Sequence, residues 1–387
     1  MTLPLTGVKV IEFSHMVMGP AAGLMLADMG ADVIKVEPLG GDKTRRLRGI
    51  GAGYFPMYNR NKKSLAIDLK TEAGKAAILG LIKTADVFIE NFRPGALDTL
   101  GFGWDALSAL NPKLIYVSEK GFLSGPYEHR TALDEVTQMM GGLAYMTGPP
   151  GQPLRAGSSV IDVTGGMFGA MAVLAALYER HTSGHGKHIS AALFETTVFL
   201  VGQHMAQMAV TGTPAPPMPA RVSAWAIYQI FKTRDGEDVF VGVVSDGQWK
   251  TLCEAFDLMD IYADPKLKEN RDRVLHKDSF IPRIEAAFAK LTKTELMNKL
   301  EHLGLPFAPI GKPEDMFSDP HLTQSGGLLD MELENGDRGQ LPALPFSLDG
   351  ERLGLRLDPP KAGEHTEEIL RSIGLDPTEL RDKGVID

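Results

Sequence analysis

The sequence predicts an α/β protein in which a parallel sheet and its helices are followed by a smaller α+β domain. Three observations carry this prediction. The first third alternates short apolar runs with amphipathic stretches across tight turns. Two long stretches, 164–178 and 190–210, are Ala-, Met- and Gly-rich and mostly apolar, which suits the core helices of a large domain. A Pro-rich stretch, Thr211 to Arg221, reads as a linker, and strand-like alternation resumes beyond it.

The elements follow in chain order. Val8 to Phe13 is a short apolar run that reads as a buried strand. Gly19-Pro20 opens a helix from Ala21 to Met29, and Gly30 ends it. Asp32 to Glu37 is a second strand, closed by Pro38 and the Gly40-Gly41 turn, and Leu65 to Leu69 reads as a third. Gly74 to Lys83 has helical periodicity. Asp86 to Phe92 and Leu114 to Ser118 are further strands, stopped by Pro94-Gly95 and Gly121. Past the linker, Trp225 to Val244 alternates around an Asp235-Gly236 turn, and charged amphipathic helices run to about Leu303. From about Asp349 the chain is a polar tail with a Pro359-Pro360 break.

Composition narrows the function. The 387 residues are 43% hydrophobic and 23% charged, an ordinary globular balance. The single cysteine, Cys253, excludes an intrachain disulfide and fits a reducing, cytoplasmic setting. Lys plus Arg is 40 and Asp plus Glu is 49, a net charge of −9, and no five basic residues run together, which argues against general nucleic-acid binding. No basic leader opens the chain and no segment approaches ~20 uninterrupted apolar residues, so neither a signal peptide nor a membrane span is expected.

The general motifs are absent or weak. No P-loop and no Gly-x-Ser-x-Gly elbow occurs. Gly49-Ile50-Gly51-Ala52-Gly53 follows Leu47-Arg48 rather than a hydrophobic strand, and reads as a flexible loop. His181, His185 and His188 read as a polar turn between helix and strand, since no carboxylate or thiolate ligand set accompanies them, so no metal is expected. Local charge says more. Between Lys35 and Lys70 nine Lys/Arg face three acids, a +6 segment carrying Tyr54, Phe55 and Tyr58. Such a patch suits a polyanionic small molecule with an aromatic base, or is simply a solvated loop.

Two aspartates stand out. Asp162 lies between apolar neighbours at the start of an apolar helix, in Ile161-Asp162-Val163-Thr164-Gly165-Gly166. Desolvation would make its carboxylate more nucleophilic while N-terminal amides hold the charge. Asp134 precedes another apolar stretch. Taken alone, each reads as a helix N-cap before it reads as a catalytic group.

These segments together resemble a known family. Leu5 to Phe13, Gly19-Pro20 and Leu26 to Glu37 resemble the opening of the class III CoA-transferases, the family of formyl-CoA transferase and the carnitine and bile-acid CoA-transferases. The likeness continues in order through Asn59 to Ser64, Asp68-Leu69-Lys70, Glu90 to Gly95, Lys120-Gly121-Phe122, Arg180 to Lys187, Phe231 to Gly236 and Gly304 to Ile310. The resemblance implies a large Rossmann-like CoA-binding domain from residues 1–210 and 325–387, a small α+β domain from 222–324 and a linker at 211–221. It further implies a ring-shaped chain interlocked with a second copy in a homodimer.

By the same resemblance, the enzyme moves CoA from an acyl-CoA donor to a carboxylic acid acceptor. Asp162 would be the nucleophile, passing through an aspartyl-acyl anhydride and an aspartyl-CoA thioester, with Asp134 as an acidic helper at the acyl site. Met16 and Val17 would face the thioester. Ile67, Leu69 and Lys70 would pass the adenine and phosphates, and Asn91, Phe92 and Arg93 would line the CoA site. Lys120, Arg130 and Thr131 lie where contacts to CoA or acceptor are expected. Val17 stands where formyl-CoA transferases have glutamine, and Gly242 to Gln248 is no glycine run. Both departures point from formyl or oxalate chemistry toward a succinyl-CoA-like donor. The α-methylacyl-CoA racemases share this likeness but use a histidine where Leu133 stands, and His129 lies four residues earlier.

Overall fold

A computed structural model of the chain describes residues 2–221 and 223–387; the expected domain starts at 1 and 222 lie outside the described residues. Its largest sheet has six parallel strands: β1 (Lys9–Phe13), β2 (Asp32–Glu37), β3 (Lys62–Ala66), β4 (Val87–Glu90), β5 (Ile115–Lys120) and β6 (Lys187–Ala192). Their spatial order is β3-β2-β1-β4-β5-β6. That is the doubly wound order, in which the chain reverses direction across the sheet between β1 and β4.

Helix α1 (Met18–Asp28) connects β1 to β2, with Pro20 in its first turn, where the missing N–H costs nothing. Helix α2 (Glu72–Ile82) covers the other face. It is joined by α3 (Trp104–Leu110), whose Leu107 is buried. A first apolar core includes Phe13, Ile78, Phe88, Phe102 and Tyr116; a second, on α1, includes Val10, Leu26, Val87, Ile115 and Val173. Helix α4 (Asp134–Met140) precedes α5 (Val160–Ser183), the long helix that leads into β6.

Three expectations shift. The third strand is Lys62–Ala66 rather than Leu65 to Leu69, because Lys62 is fully buried, its Nζ 2.7 Å from Glu12 Oε2. The stretch 190–210 is not one helix. Its start belongs to β6, and the rest divides at Val201 into α6 (Leu193–Leu200) and α7 (Gly202–Thr211). Gly49–Gly53 is a 3-10 turn running into the short helix Tyr54–Tyr58, not a loop.

The tail is structured as well. Helices α8 (Thr366–Ser372) and α9 (Pro377–Asp382) place Ile369, Leu370, Leu380 and Val385 in the first core. The tail also bonds to the β3 region. Asn61 N–H donates to Leu357 O at 2.9 Å, Asp68 N–H to Val385 O at 2.9 Å and Ala66 N–H to Thr366 Oγ1 at 3.0 Å.

By its contacts the chain forms two compact units, Met1–Pro219 with Pro320–Asp387, and Ala220–Asp319. The second unit has a three-stranded antiparallel sheet, β7 (Ile227–Lys232), β8 (Asp238–Val243) and β9 (Phe307–Pro309). Its core holds Phe231, Val241, Trp249, Cys253 and Phe288. Burial pushes the Cys253 thiol up to about 12, so the residue is an inert filler there.

Candidate active site

The C-terminal ends of β1, β4 and β5 open onto one cavity of about 630 Å³. This is the crevice at which a doubly wound sheet places its ligand. The chain after β1 supplies His15 and Met16, that after β4 supplies Asn91, Phe92 and Arg93, and β5 ends in Glu119 and Lys120. Opposite stand Arg130, Thr131, Leu133, Asp134, Arg155 and Asp162. The carriers of this wall are the segment before α4 and the first turn of α5.

The loop after β1 is held in an unusual conformation. Met16 has φ +64°, a left-handed backbone that costs a non-glycine residue of order 1 kcal/mol or more. Asn91 pins it: its Oδ1 accepts from His15 N–H at 3.1 Å, and its Nδ2 donates to His15 O at 2.8 Å. Met16 N–H donates to Thr44 Oγ1 at 3.0 Å. Lys120 fixes the neighbouring loop, with Nζ 2.6 Å from Glu90 Oε1 and donating to Phe92 O at 2.8 Å.

Asp162 occupies the first turn of α5. Helix α5 lies close on α1: a Cβ on Gly166 would meet Met18 O at 2.6 Å, and one on Gly165 would meet Met18 Cε at 2.7 Å. The start of α5 is not capped by its own Ser159. Asp134 caps it from a distance, its Oδ2 accepting from Ile161 N–H at 2.9 Å and Asp162 N–H at 3.1 Å. Gln138 Nε2 donates to Asp134 Oδ1 at 2.6 Å, and Arg155 Nη2 stands 3.5 Å from that oxygen. Burial, then the Asp134 charge, push the Asp162 carboxyl up to about 7, with Arg155 opposing them. A carboxyl poised there ionises readily at neutral pH and is more basic than an exposed one.

A second cavity of about 570 Å³ is more apolar and shares Phe92. Ile67, Leu69 and Lys70 line it together with Phe13, Pro38 and Leu39. The expected residues therefore divide in two. Asp162, Asp134, Met16, Asn91, Phe92, Arg93, Lys120, Arg130 and Thr131 share the first cavity, and Ile67, Leu69 and Lys70 the second. Val17 lines neither; it is buried at the start of α1.

The basic segment is less available than its +6 charge predicts. Lys35, Arg45, Arg60 and Lys62 are buried against Asp42, Glu37, Asp28 and Glu12 respectively. Lys43, Arg46, Arg48 and Lys70 remain exposed. Phe55 is buried beneath the Arg45 guanidinium at 3.7 Å, whereas Tyr54 lines the first cavity. Among the described residues no group of three or more His, Cys, Asp or Glu is arranged to hold a metal ion. His188 lies in β6, stacked on Trp104 with ring centroids 5.4 Å apart.

Sequence reading missed Glu119 and Arg155. Arg155 carries no local signal. Neither does Glu119; only the structure shows it against Gly169, seven residues after Asp162 and so on the same helical face, where any Cβ would collide with the Glu119 carboxyl.

Comparison with known proteins fits this geometry. The family model described as CoA-transferase family III matches residues 5–366. Succinate–glutarate CoA-transferase of Agrobacterium fabrum is 36% identical over 383 residues, covering 96% of each chain. Formyl-CoA:oxalate CoA-transferase of Rhodopseudomonas palustris is 32% identical over 424 residues, covering 100% of this chain and 98% of the relative. Among solved structures, a CaiB/BaiF family protein from Brucella suis superposes with a TM-score of 0.84 at 32% identity, covering 96% of this chain and 100% of that one. The chain belongs to CoA-transferase family III and is a class III CoA-transferase.

Proposed function

We propose that this CoA-transferase moves CoA from a succinyl-CoA-like short acyl donor to a carboxylic acid acceptor, with Asp162 as the nucleophile. The observation that carries this reading is Asp162 itself, the cavity carboxyl whose environment lifts it to about 7. A relative is named for succinate and glutarate, which supports a dicarboxylic donor here. CoA is a substrate in this scheme, and the two cavities divide its recognition. The apolar one, with Ile67, Leu69 and Phe92, suits the adenine, and the exposed Lys70 on its lining suits the phosphates.

The steps balance without an external proton. An Asp162 oxygen attacks the donor thioester carbon, the C–S bond breaks, and CoA leaves as thiolate, giving a mixed anhydride. The thiolate attacks the Asp162 carbonyl carbon, a C–O bond breaks, and the donor departs as its carboxylate. The acceptor carboxylate attacks the resulting aspartyl-CoA thioester, expelling thiolate. That thiolate attacks the acceptor's acyl carbon and restores the Asp162 carboxylate. Water must be kept away, because the anhydride hydrolyses.

A racemase requires a second proton-transfer group across from Asp162. At the position where the racemases that this chain resembles carry that group as a histidine stands Leu133, which cannot transfer a proton, and the His129 side chain is 84% exposed and lines neither cavity. An uncovered apolar face favours a homodimer. Met167, Met171, Leu174 and Tyr178 form one stripe along α5, with Phe199, Met205 and Met208 exposed nearby in sequence. By length and hydropathy α5 could cross a membrane, but its Gly and Ala face is buried on α1 and the sheet. A reducing, cytoplasmic location suits the single buried thiol.

Asp162→Ala should lower CoA transfer from succinyl-CoA by at least about a thousandfold. Transfer within about tenfold of wild type would refute the nucleophile. Deuterium entering C2 of a 2-methylacyl-CoA, with no acid exchange, would select the racemase instead.

A further inference from the structure

The floor of the first cavity holds a carboxyl that the scheme above does not use. Glu119, the penultimate residue of β5, is 2% exposed and contributes to the cavity lining. Both its oxygens are buried without a hydrogen-bond partner. The charged groups that face it are Glu12 on β1, Asp162 on α5, Glu90 on β4 and Lys62 on β3. Each of the others except Asp162 has an opposite charge of its own: Glu12 and Lys62 pair at 2.7 Å, and Glu90 pairs with Lys120 at 2.6 Å. Lys35, also beside Glu12 at 3.7 Å, is matched by Asp42 at 3.2 Å. The buried charges therefore close without Glu119, and among the described residues no cation is left to neutralise it.

The backbone is shaped around this side chain. A Cβ at Gly169 would collide with Glu119 Oε1, as one at Gly23 on α1 would collide with Glu12 Oε2. One glycine on each of two core helices thus makes room for a buried carboxyl, Gly23 for Glu12 and Gly169 for Glu119.

We propose that Glu119 is a positioning residue that is kept as the neutral acid, so that Asp162 is the only uncompensated negative charge among the groups that face it in the cavity. The wall that presents Asp162 then tolerates its ionisation and the thiolate and anionic adducts that follow. A second carboxylate at Glu119 would repel each of them. Burial first, then the Glu12 and Asp162 charges, push the Glu119 carboxyl up to about 8, which keeps it protonated at neutral pH. The prediction about catalysis rests on Asp162 being the nucleophile; the protonation of Glu119 does not.

Infrared spectroscopy tests the protonation directly. Protein labelled with 13C in the glutamate carboxyl should show, at pH 7, an isotope-shifted C=O band of a protonated acid that vanishes above about pH 8 and is missing from Glu119→Gln. Absence of that band from the wild-type protein overturns the proposal whatever the variants do. Kinetics then test the role. Wild-type kcat should fall about tenfold per pH unit once Glu119 ionises. Glu119→Gln, neutral at every pH, should keep kcat within about threefold of the wild-type optimum and lose that alkaline fall. An unchanged alkaline limb in Glu119→Gln overturns the role. Failure of the Asp162 reading would show separately, as an active Asp162→Ala enzyme with the infrared band intact.

Discussion

Around β1, β2 and β3 the buried charges meet one to one: Lys62 with Glu12, Lys35 with Asp42, Arg45 with Glu37 and Arg60 with Asp28. Along the end of β5 and the start of α5, Glu119 has no partner and Asp162 has a like charge, Asp134, close by. Depth is similar in the two regions; pairing is not. Paired buried charges rarely add net stability, but each becomes costly when its mate is removed. Unpaired ones raise their own proton affinity and so store reactivity. The first region is a platform that reaches the loop carrying His15 and Met16 through Lys35, whose Nζ donates to Ser14 O at 2.7 Å. The second is where chemistry is expected.

The largest expected effect breaks the platform. Lys62→Met leaves the buried Glu12 short of its nearest cation and should cost about 3–5 kcal/mol, read as a fall in the urea midpoint. A loss below about 1 kcal/mol would mean that this pairing is incidental.

Next comes the unpaired side. Asp162 has its carboxyl raised from 3.8 to about 7, so the folded protein binds its proton more tightly than the unfolded chain does. Stability from this group is therefore complete below about pH 4 and is lost as pH rises to about 7. At about 1.4 kcal/mol per unit the ceiling is about 4 kcal/mol. Asp162→Asn, which cannot ionise, should unfold about 2–4 kcal/mol harder than wild type at pH 8 and no harder at pH 4. Equal gains at both pH values would show that titration is not the cause.

The smallest effect joins the two regions' logic. Asp134→Asn removes the like charge but keeps one acceptor for the Ile161 and Asp162 amides. Stability should fall by about 1 kcal/mol, as for a weakened helix cap. The acid limb of kcat should move to lower pH, because Asp162 loses a neighbour that discourages its charge. A limb that stays in place would remove Asp134 from the electrostatics of the site.

Much of this architecture was legible in the sequence. β1, β2, β4 and β5 were readable because each is an apolar run between turn residues. β3 was displaced toward Leu69 because Lys62 reads as a surface residue, and its partner Glu12 lies 50 positions away and on another strand. The +6 count failed for the same reason: two of the acids that neutralise it, Glu12 and Asp28, lie outside the segment. β6 was missed because it begins at Lys187 and His188, exposed polar residues that read as a turn, and only Ser190 to Ala192 fall within the apolar stretch. Asp162 was legible as a carboxylate among apolar neighbours. Its cap was not, since Asp134 reads as capping the helix it begins rather than α5.

The tail that bonds to β3 has a consequence in time. Ala66 N–H finds Thr366 Oγ1 300 residues later in the chain. At ribosomal rates of about 5–20 residues per second, β3 waits about 15–60 s for that partner. Throughout, one edge of the parallel sheet stands open to other nascent strands. Expression of this protein should therefore respond to slower growth temperature and to chaperone supply more than its native packing suggests, with the final tenth of translation closing the sheet.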